Sequence, residues 1–207
     1  MMCISTLCFA GMGACVKYLA ADYPLPQIVW ARYFFHLLLV VLLVHGRVAT
    51  LARTRRLPLQ LLRSVLVLGA TVMSFLGVSH LPLATFVSLG FVGPLLVTGL
   101  AAVLLRETVG LGRWLAVLAG FCGVLVILQP GGDGVGHAAV FPLAMACCYA
   151  AYQLLTRVIR GAAPALTSLF YTALVGAVIA SAAVPFAWVA PDAQGWLLMI
   201  LTAVLGG

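Results

Sequence analysis

The chain has 207 residues, of which 65% are apolar and only 7% charged, with a mean hydropathy of +1.22 and a formal net charge of +7. A soluble globular domain covers its core with far more polar surface, so this composition excludes that class. The sequence predicts an all-α polytopic membrane protein, because helices satisfy their own backbone hydrogen bonds in lipid.

Four membrane spans are predicted before Arg106. A spanning helix needs roughly 20 apolar residues. The first span is predicted at Met1–Ala21 and the second at Ile28–Val44. The uncharged stretch from Ser64 to Leu105 is too long for one crossing. Pro82 disfavours helix at the preceding residue, so it is expected to separate the third span from the fourth.

The later part of the chain predicts three further spans and the beginning of another. A fifth span runs from about Leu111 to Leu128, where the loop "QPGGDGVG" follows. The sixth covers about Ala138 to Thr156, and the seventh about Leu166 to Trp188. An eighth begins near Ala193. The sequence therefore predicts about seven complete transmembrane helices and the start of an eighth.

Charged residues are distributed unequally between the predicted loops. Basic residues follow the even-numbered spans, whereas aspartates mark the intervening loops: Arg47, Arg53, Arg55, Arg56, Arg63, Arg106, Arg113, Arg157 and Arg160 against Asp22, Asp133 and Asp192. Because basic loops stay in the cytoplasm, this pattern predicts a cytoplasmic N-terminus in the cytoplasmic (inner) membrane. The same solvated loops explain "RTRR" (Arg53 to Arg56), so no nucleic-acid partner is expected.

The sequence offers little for catalysis. It has no Ser/His/Asp arrangement with suitable spacing and no phosphate-binding motif, and "GGDGVG" does not follow a predicted strand. The six cysteines lie within the predicted spans without metal-ligand spacing, so we expect buried free thiols and no metal site or cofactor. With only four carboxylates in the chain, a paired acid and base is hard to assemble. An enzyme is therefore not expected.

A weak internal repeat appears when the chain is shifted by 140 residues. "CFAGMGACVKYLAADYPLP" (from Cys8) then aligns with "CYAAYQLLTRVIRGAAPAL" (from Cys148), which pairs Lys17 with Arg157 and Pro24 with Pro164. Five predicted spans separate the two copies, so the second would enter the membrane from the opposite side. Inverted repeats of this kind place the binding site of many secondary transporters near the midplane.

Three segments resemble EamA-type members of the drug/metabolite transporter superfamily. These are "VKYLAADYPLPQIVWARYF", "LPLATFVSLGFVGPLLVTGLAAVLLRETVGLGRWLAVLAGFCGVLVI" and "MACCYAAYQLLTRVIR". The resemblance implies five-helix units in two inverted halves around a central cavity, and substrates such as amino acids, nucleosides, vitamins or S-adenosyl compounds. It implies a complete first unit at residues 1–129 and an incomplete second unit at 136–207. The last two spans of that plan would be missing here, so a fragment or a truncated gene is expected.

Lys17 is the first candidate substrate-binding residue. A charge at the bilayer centre costs about 2.5 to 3.5 kcal/mol on insertion scales, so charged residues in spans are functional candidates. Lys17 lies near a helix end, where its stem could instead extend the ammonium group to the interface. The alternative places it at a cavity mouth, where it attracts a carboxylate or phosphate. Arg32 leaves the same two interpretations open, with His36 one turn further along.

Span six supplies the other candidates. Tyr149, Tyr152 and Gln153 follow at i, i+3 and i+4, so they share a helix face that suits a planar or amphipathic solute. An interhelical hydrogen-bonding seam is the competing interpretation. In span four, Gly93 and Pro94 predict a kink, which either improves packing or moves as a gate.

These observations predict a secondary transporter of a small metabolite that works by alternating access without hydrolysing ATP. Its partners would be a small-molecule substrate and the lipid bilayer, with homo-oligomerisation left open. The alternative is a non-transporting membrane scaffold or interaction protein, such as a truncated transporter fragment.

Overall fold

The computed structural model describes residues 2–44, 54, 56–104, 110–128, 136–159 and 164–206. Within these ranges the chain is helical and contains no strand, which confirms the all-α prediction. The α-helices, numbered here in chain order, are α1 Met2–Asp22, α2 Leu25–Leu43, α3 Leu57–His80, α4 Leu83–Gly90, α5 Val92–Leu104, α6 Leu111–Leu128, α7 Val140–Ile159, α8 Ala165–Ala183 and α9 Ala193–Leu205. Short 3₁₀ turns precede α7 (Gly136–Ala139) and follow α8 (Val184–Phe186).

Five helical segments in the described part of the chain are long and apolar enough to cross a membrane: Leu25–Leu43, Leu57–His80, Leu83–Leu104, Gly136–Ile159 and Ala165–Phe186. Helices also cover the positions predicted for spans one and five, but they are not among these five segments. α9 has only 13 residues. About seven complete spans, like the inverted repeats, therefore stay a prediction.

Proline begins several of the helices. Pro24, Pro82 and Pro164 have extended backbone dihedrals and directly precede α2, α4 and α8. Proline suits these positions because its missing N–H has no partner at a helix start anyway. The break predicted at Pro82 is confirmed, since α3 ends at His80.

One predicted boundary is wrong. The third span was expected to start at Ser64, after a solvated basic loop, but α3 begins at Leu57 and includes Arg63. Arg63 is only 5% exposed. Its charge therefore lies inside the helix bundle and does not belong to the solvated loop. Arg47, Arg53, Arg55, Arg106, Asp133 and Arg160, which also support the topology, lie outside the described residues.

The chain divides into two compact units. Unit 1 comprises residues 1–68 and 159–207, and thus contains α1, α2, the start of α3, α8 and α9. In unit 1, α2 packs against α8 and α9, and α1 packs against α9. Val40, Phe170 and Tyr171 form a core cluster there. Tyr33 lies directly over Gly176, where an added Cβ would collide with its ring.

Unit 2 comprises residues 69–158, with the end of α3, α4, α5, α6 and nearly all of α7. Its α6 packs against α4 and α5. Two apolar clusters form its interior, one around Leu89 and Ala146 and one around Val78 and Phe86. Lipid tails are as apolar as these side chains, so close packing, rather than transfer out of water, stabilises such an interior.

Candidate functional site

Lys17 lies in unit 1, in the last part of α1, and its side chain is exposed. Its neighbours Val16 and Leu19 are fully buried, so they lie on the packed face of α1. A cation at this position can contact lipid headgroups or a dissolved anion. Its substrate-binding role therefore stays a prediction.

Tyr149, Tyr152 and Gln153 lie in unit 2, on α7. The two tyrosine rings have centroids 5.6 Å apart and planes inclined at 34°. Tyr149 is 40% exposed, whereas Tyr152 and Gln153 are half-buried. The i, i+3 spacing thus produces a ring pair with one accessible edge, which offers a planar solute a stacking surface.

Gly93 and Pro94 lie in the first turn of α5, just after the helix is interrupted at Phe91. Proline lacks an N–H, and its ring clashes with the carbonyl four residues earlier, here that of Gly90, the last residue of α4. The Thr98 hydroxyl donates to the Pro94 carbonyl at 2.9 Å. A Cβ at Gly93 would meet no described atom within 4 Å. The break follows from proline chemistry, and its movement as a gate stays a prediction.

Arg32 and His36, one turn apart on α2, are 8% and 9% exposed. The Arg32 guanidinium donates to the Gly206 carbonyl at 3.2 Å and lies 5.6 Å from the centroid of the Tyr33 ring. Of the two interpretations left open for Arg32, extension to the interface does not fit this burial. An ionisable side chain inside a membrane helix bundle is a candidate for solute or ion contact.

Sequence reasoning missed several further buried polar residues of unit 1, three of which have long side chains. Gln27 and Gln60 are fully buried, and Arg63 donates to the Ser168 carbonyl at 3.1 Å and to the Thr172 hydroxyl at 3.3 Å. Spacing within α3 could have indicated Gln60 and Arg63. Gln60, Arg63 and Ser64 stand at i, i+3 and i+4. Such spacing predicts a polar face on one helix.

The structure gives no support to a metal centre in the ranges it describes. There, no three His, Cys, Asp or Glu side chains are grouped as metal ligands. Cys8, Cys15, Cys122, Cys147 and Cys148 are free thiols. The described chemistry is instead that of neutral hydrogen-bonding groups, buried cations and aromatic rings.

Comparison with known proteins identifies a family and several relatives. Residues 1–129 match the model of the EamA-like transporter family. The riboflavin transporter of Vibrio cholerae is 28% identical over 99% of this chain and 70% of its own length. The riboflavin transporter of Brucella anthropi is 25% identical over 93% of this chain and 71% of its own length. The S-adenosylmethionine uptake transporter of Rickettsia bellii is 25% identical over 84% of this chain and 60% of its own length.

The family match and the names of these relatives confirm two predictions from the sequence. The protein is a transporter rather than an enzyme, and it is an integral membrane protein with a small-molecule substrate. The chain belongs to the EamA-like transporter family.

Proposed function

We propose that this protein is a secondary transporter that moves a small metabolite across the cytoplasmic membrane by alternating access. The observation that carries the proposal is the burial of Arg32 and His36 within an apolar span, in a chain of the EamA-like transporter family. Ionisable groups in membrane helices face the bundle interior where they serve solutes or ions. The transporter names of the relatives give no support to the alternative of a non-transporting scaffold.

The topology belongs to the proposal. A complete first unit at 1–129 and an incomplete, inverted second unit at 136–207, with the N-terminus in the cytoplasm, would place the α8–α9 connection outside. In a chain stripped of native cysteines, a cysteine at Ala190 should then react with an impermeant thiol reagent added to intact cells, and one at Thr54 should not. The reverse labelling pattern would contradict this orientation.

The substrate class follows from the accessible ring pair and the relatives. Riboflavin and S-adenosylmethionine both carry a planar heteroaromatic ring with polar substituents, and stacking rings suit such a solute. We assign the stacking contact to Tyr149 and Tyr152, and a directional hydrogen bond to Gln153. Lys17, in unit 1, is assigned separately, as a residue that attracts an anionic group. Gly93 and Pro94 would provide the movable kink.

The test is uptake of radiolabelled riboflavin and S-adenosylmethionine by membrane vesicles that contain the full chain. Replacing Tyr149 by Leu removes the accessible ring and should lower apparent affinity about tenfold, which corresponds to about 1.4 kcal/mol. Lys17→Met should have a similar effect only if the transported solute is anionic. Phe186→Leu, at a side chain that is 90% exposed, is the control. Vesicles that accumulate neither solute would refute this substrate class.

A further inference from the structure

Two sets of polar contacts join distant parts of the chain within unit 1. In the first set of contacts, the Tyr23 hydroxyl donates to Asp192 Oδ1 at 2.9 Å, and Gln27 Nε2 donates to the Val189 carbonyl at 2.8 Å. The Val189 N–H donates back to Gln27 Oε1 at 3.0 Å. We call these four residues the connector bridge, because they join the α1–α2 connection and the start of α2 to the α8–α9 connection.

The second set joins the start of α3 to the start of α8. Gln60 Nε2 donates to Ser168 Oγ at 3.1 Å, and Arg63 donates to the Ser168 carbonyl and the Thr172 hydroxyl. We call these four residues the helix bridge. Both bridges are built from hydrogen bonds, but their surroundings differ.

The two bridges differ in which polar groups would lose their hydrogen-bond partners if the bridge opened. The bond between Tyr23 and Asp192 is exposed, so water can replace it at little cost. Gln27 of the same bridge is fully buried, but it is a neutral amide and not a charge. Separation of the helix bridge would remove two acceptors of a guanidinium that is 5% exposed, next to the fully buried Gln60. Loss of partners around a buried charge is far more costly than loss of an exposed hydrogen bond. The connector bridge is therefore the easier of the two to open.

A small open cleft already lies beside the connector bridge. It is lined by the end of α1 and the start of α9, and its lining includes Leu19, Tyr23 and Asp192. Glycine at position 195 leaves room for the bridge, because a Cβ there would lie 2.5 Å from the Tyr23 hydroxyl oxygen. A larger residue must displace the Tyr23 ring from Asp192.

We propose that the connector bridge is a gate, which opens to admit water and solute to the interior of unit 1 while the helix bridge stays closed as the hinge. The inference rests on the proposed function, because only a transporter that changes conformation needs such a gate. Movable elements come from the parts of a protein with low local stability, and an exposed hydrogen-bonded connection is such a part.

Thiol labelling tests the gate without a substrate. The full chain, with its six cysteines replaced by serine and Leu19 by cysteine, is reconstituted in nanodiscs, where both faces are accessible. Leu19 is fully buried and lines the cleft. We expect Tyr23→Phe and Gly195→Ala to raise the rate of labelling by the charged thiol reagent MTSET about two- to tenfold, as loss of one or two hydrogen bonds implies.

Ser168→Ala, in the helix bridge, is the matched control and should leave the rate unchanged. Equal labelling rates in the parent protein and in the three variants would overturn the proposal. A larger rise in labelling rate for Ser168→Ala than for Tyr23→Phe would also overturn it. Tyr23→Phe preserves the ring, so the test stands even if Gly195→Ala fails to fold.

Cross-linking gives a second test. A short bifunctional thiol reagent that joins cysteines at positions 23 and 192 should block riboflavin uptake until the link is reduced, whereas a link between positions 60 and 168 should leave uptake intact. Continued uptake with the first link in place would overturn the gate. If the unlinked protein takes up no riboflavin, the proposed substrate fails, and the labelling rates still decide the gate.

Discussion

The interiors of the two units differ in polarity. Among the described residues, buried polar side chains of unit 1 are Gln27, Arg32, His36, Gln60, Arg63, Ser64, Thr167 and Thr202, whereas unit 2 has Thr71. Buried polar groups need hydrogen-bond partners, and every buried side-chain nitrogen or oxygen of the described residues has one. The difference indicates that unit 2 is stabilised mainly by apolar packing, whereas the interior of unit 1 also depends on buried hydrogen bonds.

The largest effect is expected in the apolar unit. Phe86 is 7% exposed and its ring lies against Gly77, where an added Cβ would be only 2.6 Å away. Phe86→Ala leaves a cavity that should cost about 3 kcal/mol or more of unfolding free energy. Phe91→Ala, at a ring that is 68% exposed, is the control. The apparent melting temperatures in detergent should fall strongly for the first variant and little for the second, and equal falls would contradict apolar packing as the source of stability.

The same substitution in both units sharpens the comparison. Thr172→Val removes an acceptor from the buried Arg63 guanidinium, which should cost about 1.5 to 3 kcal/mol because the lost bond involves a charge. Thr98→Val in unit 2 removes a neutral hydroxyl that donates to its own helix, at about 0.5 to 1.5 kcal/mol. Thermal denaturation of both variants provides the measurement. If Thr98→Val lowered the unfolding free energy as much as Thr172→Val, the proposed difference in polarity between the two units would have no effect on stability.

Two glycines provide a smaller contrast. In unit 1, Gly176→Ala places a methyl group against the Tyr33 ring, which is 3% exposed, and should destabilise by about 1 to 3 kcal/mol through overpacking. In unit 2, Gly93→Ala meets no described atom within 4 Å, and alanine is the better helix former. We expect a lower melting temperature for the first variant and an unchanged or higher one for the second. Similar shifts in both would show that Tyr33 adjusts freely.

The smallest effect concerns pH at the connector bridge. The pKa of Asp192 is lowered because its carboxylate accepts the Gly195 N–H and then the Tyr23 hydroxyl. A depressed carboxyl pKa means that the bridge is favoured above the ordinary aspartate pKa and weakened as pH falls through the lowered value. Tyr18, Asp22 and Tyr23 are the other titratable groups that line the cleft.

Opening of the connector bridge can be measured as the distance between spin labels at positions 18 and 194. The side chains of Tyr18 and Gln194 are joined by a hydrogen bond of 3.4 Å. The distance should lengthen only in acid in the parent protein, and Asp192→Asn should remove the pH dependence. A parent distance that is constant from neutral pH into the acid range would contradict the assignment.

Local chemistry could be predicted from the sequence, but long-range pairing could not. The helix break at Pro82 follows from one residue type, and the Tyr149 and Tyr152 ring pair follows from helical spacing. The bond between Gln27 and Val189 joins residues 162 positions apart, and no spacing rule indicates it. Arg63 was misplaced because the positive-inside rule counts charges without showing which side chains a helix buries.

The most direct test of the contrast between the units is water access to two fully packed positions. In otherwise cysteine-free protein in nanodiscs, one variant carries Thr202→Cys in unit 1 and the other Ala146→Cys in unit 2, at side chains that are 0% and 1% exposed. MTSET should label the cysteine at position 202 at least several-fold faster, because the proposed gate admits water to the polar interior of unit 1. Equal labelling of both positions, or faster labelling at position 146, would contradict the proposed opening of unit 1 to water.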